Sequence, residues 1–193
     1  MAKTISVSVN QQHSLIFQAW RCILGSHRNA IYVSGPITTG PRFIVDVERN
    51  FVASDGVIQA NIDDILKIAH SLREETGRIV IEPGSLAVPS WSQDDYLELW
   101  TSLIERHIAE VRFLNGWDAS IGCALEYERA WLHDIERRFA DGAIIEHDQA
   151  IFLLTNRSAS LIGHPNDRLA DLGMRLAQVV KRLSGPKLHE KLS

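Results

Sequence analysis

Residues 108–130 read IAEVRFLNGWDASIGCALEYERA, and the hydrophobic pattern of this stretch changes halfway along it. Residues 108–114 form a short apolar run that predicts a strand, and a Gly-Trp-Asp turn follows it. From Ser120 onward, apolar residues recur at helical spacing. A strand that passes through a turn into a helix is the repeating unit of α/β proteins, so this stretch predicts that fold class.

The same alternation of strands and helices runs along the rest of the chain. The hydrophobic spacing predicts helices at 11–27, at 57–76, from Gln93, at 120–139 and from Asn166 or Asp167 to Leu183, and strands at 31–33, 79–81, 108–114 and 150–154. We therefore expect a single-domain, doubly wound, mainly parallel sheet of about four to five strands with flanking helices, flavodoxin-like or Rossmann-like. Residues 1–29 are assigned to an N-terminal helical extension, 30–185 to the α/β domain and 186–193 to a tail.

Two segments between these elements carry further indications. Ser92 is the expected N-cap of the helix that begins at Gln93, and Gly77 is expected to end the preceding helix. Residues 41–57 have mixed character and two turn signals, so we interpret them as a long excursion, either a small hairpin or a lid.

The composition argues against several classes of function. The net charge of −4 and the lack of a Lys/Arg cluster give no indication of a nucleic-acid or membrane partner. Cys22 and Cys123 are too few and too far apart for a disulfide framework or a zinc site, and the eight histidines are scattered. No apolar run approaches the roughly 20 residues of a membrane span, and residues 1–12 lack the apolar core of a signal peptide. We expect a soluble cytoplasmic protein without a metal or cofactor.

Two loops follow predicted strands, on the side where doubly wound sheets bind ligands. In residues 116–122, a helix that begins at Ser120 would offer a hydroxyl and free amides to an anion such as phosphate, and Gly122 would allow close approach. The other interpretation is an N-cap serine and a packing glycine. Residues 34–40, SGPITTG, are suited to hold a phosphate or a base edge, or they form an ordinary strand-to-helix turn.

Glu126 lies about a turn and a half into the helix that follows Ser120. A carboxylate beside an electron-poor anomeric carbon acts as a nucleophile or stabilises an oxocarbenium-like transition state. Tyr32 of the first strand reaches Glu126 if the two strands are neighbours; otherwise it is a core tyrosine. The alternative for Glu126 itself is a solvated surface acid.

The combination of Tyr32 in YVSGPIT, the strand ending IEPGSL and the segment FLNGWDASIGCALEYERA resembles the nucleoside 2-deoxyribosyltransferase-like superfamily. The resemblance covers about residues 30–155 and is closest to a small bacterial and phage branch with a GWxxSxGxxxE signature. It implies glycosyl transfer at the N-glycosidic bond of a nucleoside or nucleotide, with Glu126 as the nucleophile and Tyr32 orienting it. Ser120, six residues before Glu126, resembles the nucleoside 5′-monophosphate N-hydrolases, in which the matching serine contacts the phosphate; true transferases tend to have Asp there.

The resemblance and the two loops together define the candidate site. The catalytic candidates are Glu126 and Tyr32, and the substrate-binding candidates are Ser34, Gly35, Pro36, Ile37, Thr38, Thr39, Arg42, Trp117, Asp118, Ser120 and Gly122. Arg42 is either a phosphate clamp or a solvated loop charge.

The sequence departs from the hydrolase pattern at one position. Those enzymes carry an Asp, on the helix before the third strand, that helps to protonate the leaving base. Residues 97–107, LELWTSLIERH, contain no clear equivalent, although Asp94, Asp95 or Asp118 are possible substitutes.

Three functions follow as alternatives. The first is hydrolysis of the N-glycosidic bond of a nucleoside 5′-monophosphate, the second is a nucleotide-binding sensor or scaffold without turnover, and the third is a nucleoside 2-deoxyribosyltransferase. We also expect a homodimer or larger even oligomer with a shared pocket, because residues 94–107 and the first helix carry many apolar side chains. The other interpretation is that these side chains fill the core of a monomer.

Overall fold

The computed structural model describes residues 9–25, 28–50 and 55–187. Their elements in chain order are α1 (Val9–Leu24), β1 (Ala30–Ser34), α2 (Pro41–Asn50), α3 (Asp55–Thr76), β2 (Val80–Ile81), α4 (Gln93–His107), β3 (Ile108–Phe113), a 3₁₀ turn (Trp117–Ala119), α5 (Ile121–Leu132), β4 (Glu136–Phe139), α6 (His147–Leu161) and α7 (Asp167–Leu183).

The strands form a parallel sheet in the order β2-β1-β3-β4. Tyr32 in β1 lies opposite Ile81 on one side and Val111 on the other. From β1 the chain first crosses to β2 and then returns to the opposite side for β3. The direction of winding therefore reverses between β1 and β3, which is where a doubly wound sheet opens a crevice at its carboxyl edge. The expected doubly wound α/β fold is confirmed.

β1 is one of the two inner strands, and both of its faces are buried. Ile31 and Val33 pack with α3 in a smaller apolar cluster, while Ala30 and Tyr32 belong to the larger cluster that α4 and α5 cover on the opposite face. Because side chains alternate across a strand, Tyr32 and Ser34 share the face that carries α5. This alternation brings β1 hydroxyls to the helix that follows β3.

Several helix ends match the residues that the sequence indicated. Ser92 caps α4 in a reciprocal arrangement: its hydroxyl accepts from the Asp95 amide, while the Asp95 carboxylate accepts from the Ser92 amide. Gly77 follows α3 with φ +62°, and the Asn166 side chain caps α7.

The expectation of a hairpin or lid at 41–57 is wrong for the described part of that segment. Residues 41–50 form helix α2 and α3 begins at residue 55, while residues 51–54 lie outside the described ranges. Phe43, Ile44 and Val47 are buried at helical spacing. Pro41 occupies the first helical position, where its missing amide hydrogen leaves no bond unmade.

The fourth strand is not at residues 150–154, as we expected, but at 136–139. Residues 150–154 lie within α6, where Ala150 and Leu154 are buried one turn apart while Phe152 is 63% exposed. The expected helix at 120–139 accordingly ends at Leu132. The hydrophobic pattern did not predict the strand Glu136–Phe139, because this strand is short and mostly charged. It lies at the edge of the sheet, where strands commonly carry charged side chains.

The apolar residues that suggested an oligomer are largely covered within one chain. Trp100, Leu103 and Ile104 of α4 are buried, and Phe17 and Trp20 of α1 pack against the same core. These side chains contribute to the core of one chain, whereas Ile23 of α1 is 59% exposed. Among the described residues, no helix combines the length and the apolar character needed to cross a membrane.

The turn after β3 generates a prediction on stability. Gly116 has φ +81°, and a Cβ atom there would overlap the ring of Pro41 at the start of α2. Gly116→Ala should lower the free energy of unfolding by about 3 kcal/mol, because a left-handed backbone and a steric overlap add together. Gly77→Ala is the matched control, since it has a similar φ but no atom within 4 Å; it should lose only about 1 kcal/mol. Urea unfolding measures both, and equal losses would contradict the Pro41 contact.

Candidate active site

A cavity of about 280 Å³ opens at the carboxyl ends of β1 and β3. Its walls are the loop after β1, the segment after β2, the start of α4, the first turns of α5 and one side chain of α7. The polar side chains among the lining residues are Thr38, Thr39, Gln93, Asp94, Tyr96, Ser120, Glu126 and Arg175. The position agrees with the reversal point of the sheet.

Glu126 projects into this cavity from α5 and is held from behind by two hydroxyls of β1. Tyr32 Oη donates to Glu126 Oε1 at 2.7 Å, and Ser34 Oγ donates to Oε2 at 2.6 Å. Tyr32 and Ser34 are fully buried and Glu126 is 6% exposed. With both carboxylate oxygens engaged, the group has a fixed orientation. The expected approach of Tyr32 to Glu126 is therefore observed.

Burial controls the protonation of the groups around Glu126. Desolvation raises the pKa of Glu126 to about 7, although the hydrogen bonds from Ser34 and Tyr32 pull it down. Burial, with the charge of Glu126 beside it, raises the pKa of Tyr32 well above its usual range. Burial also raises the pKa of Cys123, which lines the cavity, to about 12, so its thiol stays neutral. Of Glu126, Tyr32 and Cys123, Glu126 is therefore the group that ionises near neutral pH.

The start of α5 forms one wall beside Glu126. Ser120 is the N-cap, and its Oγ accepts from the Cys123 amide at 3.4 Å. A Cβ atom on Gly122 would meet nothing closer than Ser120 Oγ at 3.8 Å, so this glycine leaves open space rather than serving a close packing contact. The helix start thus faces the cavity with amide groups and little steric bulk.

The loop after β1 is fixed by a buried amide of α3. Asn61 Nδ2 donates to the carbonyl of Ile37 at 2.9 Å and to that of Thr39 at 3.4 Å. The Gly40 amide donates to the carbonyl of Ala119 at 3.0 Å, immediately before the start of α5. The two loops that the sequence singled out are therefore joined to each other and form one continuous surface.

The structure divides the residues proposed from the sequence into two groups. The cavity is lined by Gly35, Ile37, Thr38, Thr39, Ser120, Gly122 and Glu126, while Tyr32 and Ser34 support Glu126 from β1. Pro36, Arg42, Trp117 and Asp118 are not among the lining residues.

Each of these four residues has a different structural contact. Arg42 donates to Asn61 Oδ1 at 2.9 Å and pairs with Asp64 at 2.7 Å, so it supports the amide that fixes the loop. Asp118 accepts from Arg157 at 3.0 Å. Trp117 is buried and stacks on Tyr127, and Pro36 lies against Gly40.

Asp94 is the one of the three candidate acids Asp94, Asp95 and Asp118 that lines the cavity. Within the described ranges, Asp94 and Glu126 are the carboxylates that line the cavity. Asp95 is occupied by the cap of α4 and Asp118 by Arg157. The capping box could have distinguished Asp94 from Asp95 in the sequence. In that motif the side chain of the third residue after Ser92, which is Asp95, binds the Ser92 amide, whereas Asp94 takes no part. The described residues hold no cluster of three or more His, Cys, Asp or Glu side chains that fits a metal ion.

Comparison with known proteins gives one match. A family model described as "Domain of unknown function (DUF4406)" matches residues 53–136. The matched segment contains Asp94, Ser120 and Glu126, but neither β1 nor α7. No curated protein and no solved structure matches the chain.

The buried carboxylate makes stability depend on pH. The pKa of Glu126 is about 7 in the folded chain against an ordinary value of 4.5, so the unfolded chain releases this proton first as pH rises. The free energy of unfolding should therefore fall by about 3 kcal/mol between pH 4.5 and pH 7 through this group alone. Glu126→Gln should remove that part of the decline, whereas Glu98→Gln at an exposed position of α4 should not. Denaturant unfolding across this pH range measures the difference, and parallel profiles for all three proteins would contradict it.

Proposed function

We propose that the protein hydrolyses the N-glycosidic bond of a nucleoside 5′-monophosphate, with Glu126 as the nucleophile. The observation that carries the proposal is the buried Glu126 carboxylate, held by Tyr32 and Ser34 and directed into a cavity at the reversal point of the sheet. A structural carboxylate has no need of that position, whereas a nucleophile needs both fixed orientation and access to a ligand. The resemblance to the nucleoside 2-deoxyribosyltransferase-like superfamily agrees with this role.

The reaction we propose has two steps. In the first, a Glu126 oxygen bonds to the anomeric carbon while the bond from that carbon to the base nitrogen breaks, and Asp94 gives its proton to the departing base. In the second, water attacks the same carbon, Asp94 takes its proton, and Glu126 is released as a carboxylate. Tyr32 and Ser34 keep the attacking oxygen in place through their hydrogen bonds.

The remaining walls of the cavity suit the other two parts of a nucleotide. Ser120 and the amides at the start of α5, with the Thr38-Thr39 loop, are suited to receive the 5′-phosphate. Trp100, Tyr96 and Leu97 of α4 line the cavity and offer apolar surface to the base.

A nucleotide-binding module without turnover is the second candidate. The observation that favours it is the exposure of Asp94 in the first turn of α4, because an acid that donates to a leaving group works best in a drier setting. A nucleoside 2-deoxyribosyltransferase is the third, and Ser120 in place of an aspartate argues against it.

The test of the proposed reaction is release of free base. Chromatography of a panel of nucleosides and 5′-monophosphates incubated with the protein should show free base from a monophosphate without an acceptor nucleobase. Glu126→Gln should lower the rate on the order of a thousandfold or more and Asp94→Asn about a hundredfold, while Glu98→Gln serves as the control. Because Glu126 must be ionised to attack while Asp94 must carry a proton for the base, the rate should pass through a maximum and fall at both lower and higher pH. Full activity of Glu126→Gln would refute the mechanism, and base exchange without hydrolysis would indicate the transferase.

The oligomeric state stays a prediction. We propose a homodimer or larger even oligomer because the resembling superfamily forms oligomers with shared pockets. Light scattering after size exclusion should give at least twice the chain mass of 21.7 kDa; a single-chain mass at micromolar concentration would exclude it. A cytoplasmic location is proposed as well, since the thiols Cys22 and Cys123 are both free.

A further inference from the structure

A second cavity adjoins the candidate active site on its α7 side. It measures about 400 Å³, and it shares Thr38, Thr39, Ile121 and Arg175 with the first cavity. The two chambers therefore meet at the loop after β1 and the first residue of α5. Arg175 is the residue of α7 that lines both chambers.

α7 holds Arg175 in a defined place. One stripe of α7 is buried against the core through Leu169, Leu172, Leu176, Val179 and Leu183. Gly173 brings α7 close to α6, since a Cβ atom there would lie 2.8 Å from the amide nitrogen of Ile162. Arg175 itself is exposed and lies between two buried residues of that stripe, Leu172 and Leu176. The backbone that carries it is therefore fixed even though its guanidinium faces solvent.

Arg175 lies one helical turn after Asp171 on α7, and both of these described residues line the second cavity without forming an ion pair. Within the part of the chain that the structure describes, Arg175 makes no hydrogen bond or ion pair. Arg168, the other described arginine that lines one of these two chambers, lies over the ring of Phe43. A guanidinium that lines a cavity without a partner is available to bind an anion from a ligand.

The outer chamber carries two carboxylates and one guanidinium besides Arg175, so its lining beyond the junction has one negative charge in excess: Asp167, Asp171 and Arg168, the last lying over the ring of Phe43. Asp167 and Asp171 line it, and neither lines the inner cavity. An anion at the junction would face Arg175, whereas an anion farther out would face two carboxylates against the single guanidinium of Arg168. Attraction at the junction and repulsion in the outer chamber would favour binding of a short anionic group over a longer one.

We propose that Arg175 binds the 5′-phosphate at the junction of the two chambers, and that Asp167 and Asp171 exclude nucleoside di- and triphosphates. This inference deepens the proposed function and rests on its assignment of a nucleotide to the inner cavity. It makes α7, which lies outside the segment matched by the family model, the element that selects a monophosphate.

The test is a series of affinities measured by calorimetry in a Glu126→Gln background, in which turnover is blocked. The ligands are one nucleoside, its 5′-monophosphate and its 5′-triphosphate. Arg175→Gln should weaken the affinity for the monophosphate by about ten- to a hundredfold, because one charge-assisted contact is lost. The affinity for the nucleoside should stay unchanged. The monophosphate affinity of Arg175→Lys should lie between those of the parent and Arg175→Gln, because lysine keeps the positive charge but lacks the paired donors of the guanidinium. Lys181→Gln, which removes a charge from an exposed position of α7 outside both chambers, is the control.

A second variant tests the outer carboxylates. Asp167→Asn with Asp171→Asn should improve triphosphate affinity several-fold and change monophosphate affinity little. Unchanged monophosphate binding in Arg175→Gln, or a triphosphate that binds the parent as well as the monophosphate does, would overturn the inference. These results are independent of hydrolysis: base release without an Arg175 effect would leave the proposed function standing, and an Arg175 effect without base release would leave this site standing alone.

Discussion

The hydrogen-bonded group of Glu126, Tyr32 and Ser34 is the constraint on which the rest of the structure depends. A buried carboxylate loses its hydration, and two hydroxyl donors at 2.6–2.7 Å offset part of that loss. Both donors lie on one face of β1, and the acceptor lies on the helix that follows β3. The group therefore forms only if β1 and β3 are neighbours and α5 lies over that face, which is the order that the sheet adopts.

The loop after β1 and the start of α5, which surround this group, are held in place by contacts within the protein. Asn61 holds the carbonyls of Ile37 and Thr39, and the Gly40 amide joins the same loop to Ala119. Backbone groups held by buried contacts need little rearrangement on binding, so less conformational entropy is lost. Arg42 takes part in this support rather than in the cavity, because its guanidinium is shared between Asn61 and an acid of the same helix.

The two ends of the described chain serve the site in different ways. At one end, α1 supports the segment after β2: Gln12 accepts from the indole of Trp91 at 2.9 Å, and the His13 ring lies 4.2 Å from that of Trp91. At the other end, α7 brings Arg175 to the cavity. The family match at 53–136 spans the proposed nucleophile, whereas both supporting helices lie outside it. The proposed chemistry and the proposed selectivity thus reside in different parts of the chain.

The sequence by itself determined the alternation of strands and helices and placed Glu126 after a helix start on the ligand side, because hydrophobic period and capping residues act over a few neighbouring positions. It misassigned residues 150–154, since a run of five apolar residues suits a strand or a helix equally until packing buries one side of it. The choice of Asp94 among three candidate acids, and of Arg175 rather than Arg42 as the cation at the cavity, came only from the tertiary structure. The reason is physical: an isolated charge has no periodicity, and its role depends on which partners the fold brings within a few ångströms.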